Sequence, residues 1–191
     1  MSSASQTTAS AREATAAALA GAEPSWVRLH DLAGEPHEEL LPAIEDFDAG
    51  PRAAAVEATG WLKDGALRGE STARTRLMVA RGRVLGFYAL ASTEVELRSK
   101  DRRRLRGADP DVVRVPGTLV AWLAKARDND VDGETLLMHA AATARRAREF
   151  QATTVLVVDA YDEDTETMWR KRFGFRSSSD PRPRRLWLPL D

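Results

Sequence analysis

The stretch TTVLVVDAYDEDTETMWRKRFGF, residues 153–175, decides the fold. Its first nine residues are almost continuously apolar, which predicts a strand buried on both faces. The segment 165–173 predicts a short helix, and Gly174 is a suitable end for it because glycine tolerates the left-handed conformation in which many helices stop. A buried strand followed at once by a short helix is typical of a sheet with helices packed on its faces.

The residues before this stretch supply a long strand and a crossing helix. Apolar positions recur at helical spacing from Glu134 to Glu149, and the segment 111–126 predicts a long strand. Pro116 inside that strand predicts an edge position or a bulge, since proline has no N–H to donate to a ladder. One helix therefore joins two strands, which predicts a mixed α/β layer.

The rest of the chain adds strands and broken helices. We expect further strands at 25–32 and 184–190, and a hairpin of 76–81 and 84–97 with its turn at Gly82-Arg83. Residues 36–68 predict helices broken at Pro42 and at Gly50-Pro51. Residues 1–23 are mostly Ala, Ser and Thr and predict a disordered or weakly helical segment. The expectation is one α/β domain over 24–191, with a mixed sheet of about six or seven strands flanked by helices.

Composition narrows the class of protein. The chain has 191 residues, no cysteine, three histidines and a net charge of -1. Without cysteine there is no disulfide framework, no thiolate metal site and no Cys nucleophile, and three histidines argue against a multi-His metal site, so no metal is expected. No apolar run approaches the ~20 residues of a membrane span, and the N-terminus does not have the pattern of a secretory signal. These features predict a soluble cytoplasmic protein that does not use a membrane.

Charge is nevertheless strongly segregated along the chain. Residues 98–106, RSKDRRRLR, carry +5, whereas residues 128–134, DNDVDGE, carry -4. Arg102, Arg103, Arg104 and Arg106 are candidate contacts to nucleic-acid phosphates. The candidates to extend that surface are Arg170, Lys171, Arg172, Arg184 and Arg185. A solvated helix face that balances the acidic segments is the alternative for the same run.

Three stretches resemble the GNAT acetyltransferases, and within them the acetyltransferase toxins of toxin–antitoxin pairs. VLGFYALAS (84–92) is similar to their Gly-x-Tyr-Ala-Leu strand. RRRLRGADPDVVRVPGTLVAWLA (102–124) is similar to their basic helix, linker and core strand. VVDAYDEDTETMWRKRFGF (157–175) resembles their strand, Asp-Ala turn, acidic helix start and Gly-Phe end. The resemblance covers residues 25–190 and implies a GNAT-like fold.

The resemblance also implies an activity and its partners. It implies acetyl transfer from acetyl-CoA to a primary amine, in the toxins the α-amino group of aminoacyl-tRNA, with an antitoxin protein as partner and a homodimer as assembly. The pyrophosphate of the cofactor would lie on backbone N–H groups at a helix start, a suitable place for an anion. The residues so implied as cofactor-binding are Leu123, Lys125, Val131, Gly133, Glu134 and Thr135.

The family places a tyrosine on the short helix near the end, where it protonates the departing thiolate. Aligned from Asp159-Ala160, that position is Trp169, and aligned from Gly174-Phe175 it is Arg170. An indole is only a donor and a guanidinium stays protonated, so neither is a practical acid. Tyr88 and Tyr161 are the only phenols in the chain: Tyr88 is expected in the core or hydrogen-bonded within its strand, and Tyr161 lies at a strand end from which it could reach a cleft. Tyr161, Trp169 and Arg170 are therefore the candidate catalytic positions.

The loop before the helix departs from the family pattern. Val131 stands where the family has its middle glycine, and Asp128 where it has Gln or Arg. Carboxylates about 4 Å from a pyrophosphate each cost about 1 kcal/mol even in water, whereas the dipole of a helix end returns only about 0.3–1 kcal/mol. Asp128, Asp130, Asp132 and Gly133 also match the first half of an EF-hand calcium loop, but its twelfth position is His139 instead of Glu. Acids before a helix are equally an ordinary pairing with its dipole.

Two hypotheses follow from these observations. The first is an active GNAT N-acetyltransferase that uses acetyl-CoA and acts on an amine, toxin-like on aminoacyl-tRNA. The second is a GNAT-fold binding module whose acetyl-CoA motif is degenerate. Because a fold does not fix a function, the loop and the missing tyrosine decide between the two.

Overall fold

The computed structural model describes residues 2–31, 34–68, 72–105, 111 and 113–190. The helices are α1 (Ser2–Ala20), α2 (Leu41–Glu45), α3 (Ala53–Gly60), α4 (Ser99–Arg102), α5 (Gly133–Ala147) and α6 (Glu163–Phe173). The strands are β1 (Ser25–Arg28), β2 (Arg74–Ala80), β3 (Arg83–Glu96), β4 (Arg114–Lys125), β5 (Val155–Asp159), β6 (Arg176–Ser177) and β7 (Arg185–Pro189). None of the helices in these ranges combines the length and the apolar character of a membrane span.

Seven strands form one mixed sheet in the order β1-β2-β3-β4-β5-β7-β6. The β4–β5 pair is parallel, and β5 and β7 pair antiparallel along all of β5. Residues 155–158 of β5 are buried, as expected from the apolar run. The predicted mixed sheet of six or seven strands flanked by helices is confirmed.

The hairpin of β2 and β3 turns one residue earlier than predicted. Arg81 and Gly82 form the turn, with φ of 52° and 72°. Two consecutive positive φ values are characteristic of the type I′ turn, whose twist matches that of the flanking strands. The predicted turn at Gly82-Arg83 was therefore wrong by one position, because Arg81 adopts the left-handed conformation although it is not glycine.

Pro116 does not mark an edge strand. β4 lies between β3 and β5, so the predicted edge position is wrong. The Pro116 carbonyl accepts hydrogen bonds from the Thr154 amide (3.0 Å) and from the Thr154 hydroxyl (3.1 Å), one residue before β5 begins. The N–H and the C=O of one strand residue point to the same side of the strand. The position where Pro116 lacks an N–H therefore faces the residues just before β5, so no hydrogen bond of the β4–β5 ladder is lost.

The helix ends are set by local capping. The Asp162 carboxylate accepts from the Thr165 amide at 2.7 Å, so α6 starts two residues before the predicted helix. Gly174 ends it with φ of 74°, as expected. Pro42 lies in the first turn of α2 instead of breaking a helix, because the first amides of a helix need no intrahelical partner.

The chain divides into two compact units. The first comprises Met1–Ala89 and Trp122–Leu137, and its core includes an aromatic ladder. In that ladder Phe47 meets Phe87 edge-on at 5.5 Å, and Trp61 stacks on Phe87 at 5.9 Å and on Trp122 at 5.3 Å.

Helix α1 belongs to the first unit. Its Ala18 and Leu19 pack against the core of that unit, and the Leu19 carbonyl accepts from the Gly82 amide at 2.7 Å. The division between a segment 1–23 and a domain 24–191 stays a prediction.

Gly86 marks a close approach within the first unit. A Cβ at this position would lie 2.9 Å from Leu136 Cδ1 and 3.1 Å from the Ala124 carbonyl oxygen. Both distances are shorter than ordinary van der Waals contact. The glycine of VLGFYALAS therefore lets β3 pass close to β4 and to the first turn of α5.

The second unit comprises Leu90–Ala121 and Met138–Asp191. Its core contains the fully buried Trp187 of β7, packed with aliphatic residues of β3, β4 and β5. Trp169 forms a further aromatic cluster, with ring centroids 5.3 Å from Phe173 and 5.2 Å from Phe175. Trp187 and Trp169 thus serve as packing residues of this unit.

Candidate functional site

The loop between β4 and α5 carries the residues that the resemblance implies as cofactor-binding. Leu123 and Lys125 lie at the carboxyl end of β4, and Val131, Gly133, Glu134 and Thr135 surround the start of α5. All six belong to the first unit. They therefore lie on one continuous segment of 13 residues, from 123 to 135.

Asn129 fixes the centre of this loop. Its side-chain Nδ2 donates to the Leu85 carbonyl of β3 at 2.7 Å, and its Oδ1 accepts from the Val131 amide at 2.9 Å. Lys125 Nζ donates to the Asn129 carbonyl at 3.1 Å. The loop is thus tied to the strand on one side, and the amide of Val131 already has an acceptor.

Asp132 caps the first turn of α5. Its carboxylate Oδ1 accepts from the Glu134 amide at 3.0 Å, and its carbonyl accepts from the Thr135 amide at 3.0 Å. Together with Asn129, it satisfies three backbone N–H groups around the helix start, those of Val131, Glu134 and Thr135. The helix start is an anion site that the chain fills with its own carboxylate.

The charge around this helix start is negative. Asp128, Asp130, Asp132 and Glu134 are exposed carboxylates, and the nearby Arg127 is shared between Asp48 (3.4 Å) and Asp128 (3.3 Å). Among the residues that the structure describes, no three Asp, Glu or His side chains come together in a way that would hold a metal ion. Capping and dipole pairing thus account for these acids, and the calcium-loop alternative has no geometric support.

Gly133 leaves the approach to the helix start open. A Cβ built on it would meet no atom within 4 Å. Its neighbours offer backbone donors that are already occupied, whereas the space in front of it is clear. A ligand is therefore opposed here by charge and by occupied donors, and not by a steric block.

The three candidate catalytic residues belong to the second unit and have different surroundings. Trp169 is buried at 8% exposure in its aromatic cluster. Arg170 is half exposed and pairs with Glu166 at 3.6 Å along the helix. Tyr161 follows β5 and is 48% exposed. Trp169 is thus a packing residue and Arg170 takes part in a surface ion pair, whereas the phenol of Tyr161 is exposed to solvent.

A buried arginine at the start of β7, opposite the end of β5, was not anticipated. The Arg185 side chain is only 1% exposed, and its Nε and Nη2 donate to the two Asp159 oxygens at 2.7 and 2.6 Å. Its Nη1 donates to the Glu94 carbonyl at 3.2 Å. Arg185 therefore cannot extend a basic surface, as its place in a run of basic residues had suggested. The signal in the sequence was the alternation of β7, which turns Arg185 and Trp187 to the same face.

The basic segment that follows β3 is only partly described. Arg102 donates to the Leu97 carbonyl and is half buried, whereas Arg103 and Arg104 are exposed. Arg106 lies outside the described residues. Of the four predicted phosphate contacts, Arg103 and Arg104 are the ones that the structure places at the surface.

Comparison with solved structures decides the fold. A tyrosine-to-phenylalanine mutant of KacT matches with a TM-score of 0.67 at 19% identity, covering 88% of this chain and 95% of that one. AtaT complexed with acetyl-methionyl-tRNA matches with a TM-score of 0.68 at 20% identity, covering 87% and 95%. The chain has the GNAT fold.

A third match is AtaTR bound with acetyl-CoA, with a TM-score of 0.63 at 22% identity over 88% of this chain and 94% of that one. No protein-family model matches the sequence. No curated protein matches it either. The predicted GNAT-like fold is confirmed, and at about 20% identity the likeness concerns the fold and not the residues of the site.

Proposed function

We propose that this chain is a GNAT-fold binding module that no longer uses acetyl-CoA. One observation carries the proposal: the amides of Val131, Glu134 and Thr135 at the start of α5 are already bound by Asn129 and Asp132. These are the donors that the GNAT fold presents to a pyrophosphate. Three of the donors at this helix start are therefore unavailable to the cofactor unless the loop rearranges.

The energetics of the loop support the same conclusion. A pyrophosphate would have to displace the Asp132 carboxylate from the Glu134 amide, and the loss of this helix cap costs about 0.5–2 kcal/mol of stability. It would then lie among carboxylates, each repelling it by about 1 kcal/mol at 4 Å in water. The helix dipole offers about 0.3–1 kcal/mol in return. The sum is unfavourable before any contact to the rest of the cofactor is counted.

The second unit supports the proposal independently. Trp169, at one of the two positions aligned with the tyrosine of the toxins, is packed against Phe173 and Phe175. An indole in that position donates a hydrogen bond but does not release a proton to a thiolate. The step that needs a general acid therefore has no group there to perform it.

The competing candidate is an active N-acetyltransferase, transferring acetyl from acetyl-CoA to a primary amine such as that of aminoacyl-tRNA. The fold shared with AtaT, which has been seen with acetyl-CoA and with acetyl-methionyl-tRNA, favours it. In that case Tyr161, as the exposed phenol, would be the acid. The open space in front of Gly133 would admit the cofactor once Asp132 moved aside.

For the module we propose a macromolecular partner that contacts the exposed basic residues Arg103 and Arg104. AtaT and KacT have been seen with an antitoxin and with DNA, which gives the two classes of partner to test first. A homodimer in the cytoplasm is the proposed setting. Charge reversal of Arg103 and Arg104 to Glu should abolish that binding and leave the fold intact, because both residues are exposed.

The deciding experiment is calorimetric titration of the purified protein with acetyl-CoA. The module predicts no binding heat at about 1 mM cofactor, a free energy weaker than about -4 kcal/mol. In the Asp132→Ala variant, which removes one charge from the helix start and frees the Glu134 amide from its side-chain acceptor, binding should become detectable. Asp64→Asn removes one exposed charge elsewhere in the first unit and should have no effect.

The opposite result is equally clear. Micromolar binding by the unmodified protein, lost in Gly133→Val, would overturn the module and favour the acetyltransferase hypothesis. Transfer to an amine acceptor that disappears in Tyr161→Phe would then assign the acid.

A further inference from the structure

Four basic residues meet on one face of the β1–β2 pair. Arg28 of β1 lies directly opposite Arg76 of β2. The Leu29 amide donates to the Thr75 carbonyl at 3.1 Å, so the antiparallel register continues past the end of β1. That register places His30 opposite Arg74. Because alternate residues of a strand point to the same face, the two pairs form a square of basic side chains.

Such a square has an electrostatic cost. Like charges directly opposite each other on neighbouring strands destabilise a sheet. The pKa of His30 is lowered, first by burial and then by Arg74 and His37, although Asp31 and Glu35 act to raise it. Burial also leaves the His30 Nε2 atom without a hydrogen-bond partner in the described part of the chain. Burial first, and the neighbouring Arg74 second, therefore oppose protonation of His30.

Two adjoining cavities open on these residues. The first has a volume of about 370 Å³ and the second about 390 Å³, and both are bounded by Arg28, His30, Asp31 and Arg76. Arg74 and Thr75 complete the polar first cavity. The second has an apolar wall, formed by Ala11, Ala14, Ala18, Trp26 and Val27. Both volumes fall in the range of small-molecule sites, about 300–1,000 Å³.

We propose that these two adjoining cavities together bind a small organic phosphate monoester. Its phosphate lies among Arg28, Arg74 and Arg76 in the first cavity, and its apolar body lies against Trp26 and α1 in the second. Guanidinium groups match phosphate oxygens with paired hydrogen bonds. Three arginines against the one acid, Asp31, give the cavity a charge of +2. A phosphate monoester carries about -1.5 to -2 at pH 7, which complements it.

The site is independent of the loop at α5. It is built by α1, β1, β2 and the turn after β1, and it shares no residue with the segment 123–135. The binding of a phosphate here and the failure of acetyl-CoA at the start of α5 are therefore separate statements. Either one can fail while the other stands.

The test uses the full chain and phenyl phosphate as the probe, titrated by calorimetry. Inorganic phosphate and phenol are run beside it, because they supply the charge and the apolar body separately. Phenyl phosphate should bind more tightly than inorganic phosphate, and phenol should not bind. Absence of phenyl phosphate binding at about 10 mM, weaker than about -3 kcal/mol, would overturn the proposal.

Variants locate the binding. Arg28→Gln and Arg74→Gln should each weaken phenyl phosphate binding about tenfold or more, the usual loss for a charge-assisted hydrogen bond. Arg52→Gln removes the same charge from an exposed position outside the cavity and should change the affinity less than about twofold. Equal losses in Arg28→Gln and Arg52→Gln would show general charge attraction and refute a built site.

Thermal melting without ligand gives a second readout. Arg28→Gln relieves the repulsion from Arg76, so it should melt at the same or a higher temperature than the unmodified protein. Phenyl phosphate should raise the melting temperature of the unmodified protein and not that of the variant. A lower melting temperature for Arg28→Gln alone would assign Arg28 to the stability of the sheet and contradict the proposal.

One control separates this site from the cofactor question. Acetyl-CoA itself carries a phosphate monoester, so its titration is repeated in the Arg28→Gln, Arg74→Gln double variant. Heat that disappears in the double variant comes from this cavity, and heat that persists comes from the start of α5. The two proposals are thus judged by different signals.

Discussion

Replacing Asp159 with alanine should remove much of the stability of the second unit. Asp159 is the main partner of the buried Arg185, through hydrogen bonds of 2.7 and 2.6 Å. That hydrogen bond raises the pKa of the guanidinium above its usual value, so Arg185 stays charged. Without Asp159, a side chain of 1% exposure would retain its charge and lose its hydrogen-bonded counter-ion.

The expected magnitude follows from what remains around the guanidinium. Removing one partner of a buried ion pair costs about 3–5 kcal/mol. Asp180 at 4.0 Å and the Glu94 carbonyl at 3.2 Å remain, and Asp159 is itself 42% exposed, so the lower end applies. We expect a loss of about 3 kcal/mol, against a total of about 5–15 kcal/mol for a domain.

Urea denaturation followed by tryptophan fluorescence measures this loss as a shift of the midpoint at constant slope. Glu166→Ala is the matched control, because it removes an acid from the half-exposed pair with Arg170, and should cost no more than about 0.5 kcal/mol. Adding Arg185→Met to Asp159→Ala should restore stability, since it removes the stranded charge. An Asp159→Ala loss as small as that of Glu166→Ala would refute the reasoning.

Two further predictions concern the first unit. Burial and Arg74 lower the pKa of His30 below its usual 6.5, so the unfolded chain binds more protons than the folded one as the pH falls through 6.5, and the stability should decline there. His30→Gln should flatten that part of a pH series of melting temperatures, and an unchanged slope would contradict the prediction. Gly86→Ala should cost about 1–3 kcal/mol in urea denaturation because its Cβ would crowd the Ala124 carbonyl. Gly60→Ala, which would meet nothing within 4 Å in helix α3, should instead gain up to about 1 kcal/mol, and equal effects would refute the packing argument.

The elements of the fold could be predicted from the sequence wherever the signal is local. The apolar run of β5, the periodicity of α5 and the glycine after α6 each depend on a few adjacent residues. The edge position predicted from Pro116 was wrong because a proline fits inside a central strand where the neighbouring strand has not yet begun, and β5 begins about 40 residues later along the chain. The two-residue strand β6 was missed because so short a segment has no periodicity to detect.

The candidate site was predictable in its composition but not in its geometry. The negative charge of the loop and the substitution at Val131 can be read directly from the sequence. The capping of that loop cannot, because Asn129 binds the Leu85 carbonyl 44 residues away. The basic square of β1 and β2 was missed for the same reason: Arg28 and Arg76 become neighbours only through the strand register.

The close approach at Gly86 has a consequence for how such chains are recognised. Any side chain at this position would press on Leu136 and on the backbone of the adjacent strand, so a folded molecule demands the glycine whatever reaction it does or does not perform. Selection for folding alone preserves it. A glycine at this point of the strand is therefore evidence of how a chain packs and not of the reaction it performs, and only the loop ahead of α5 can speak to the latter.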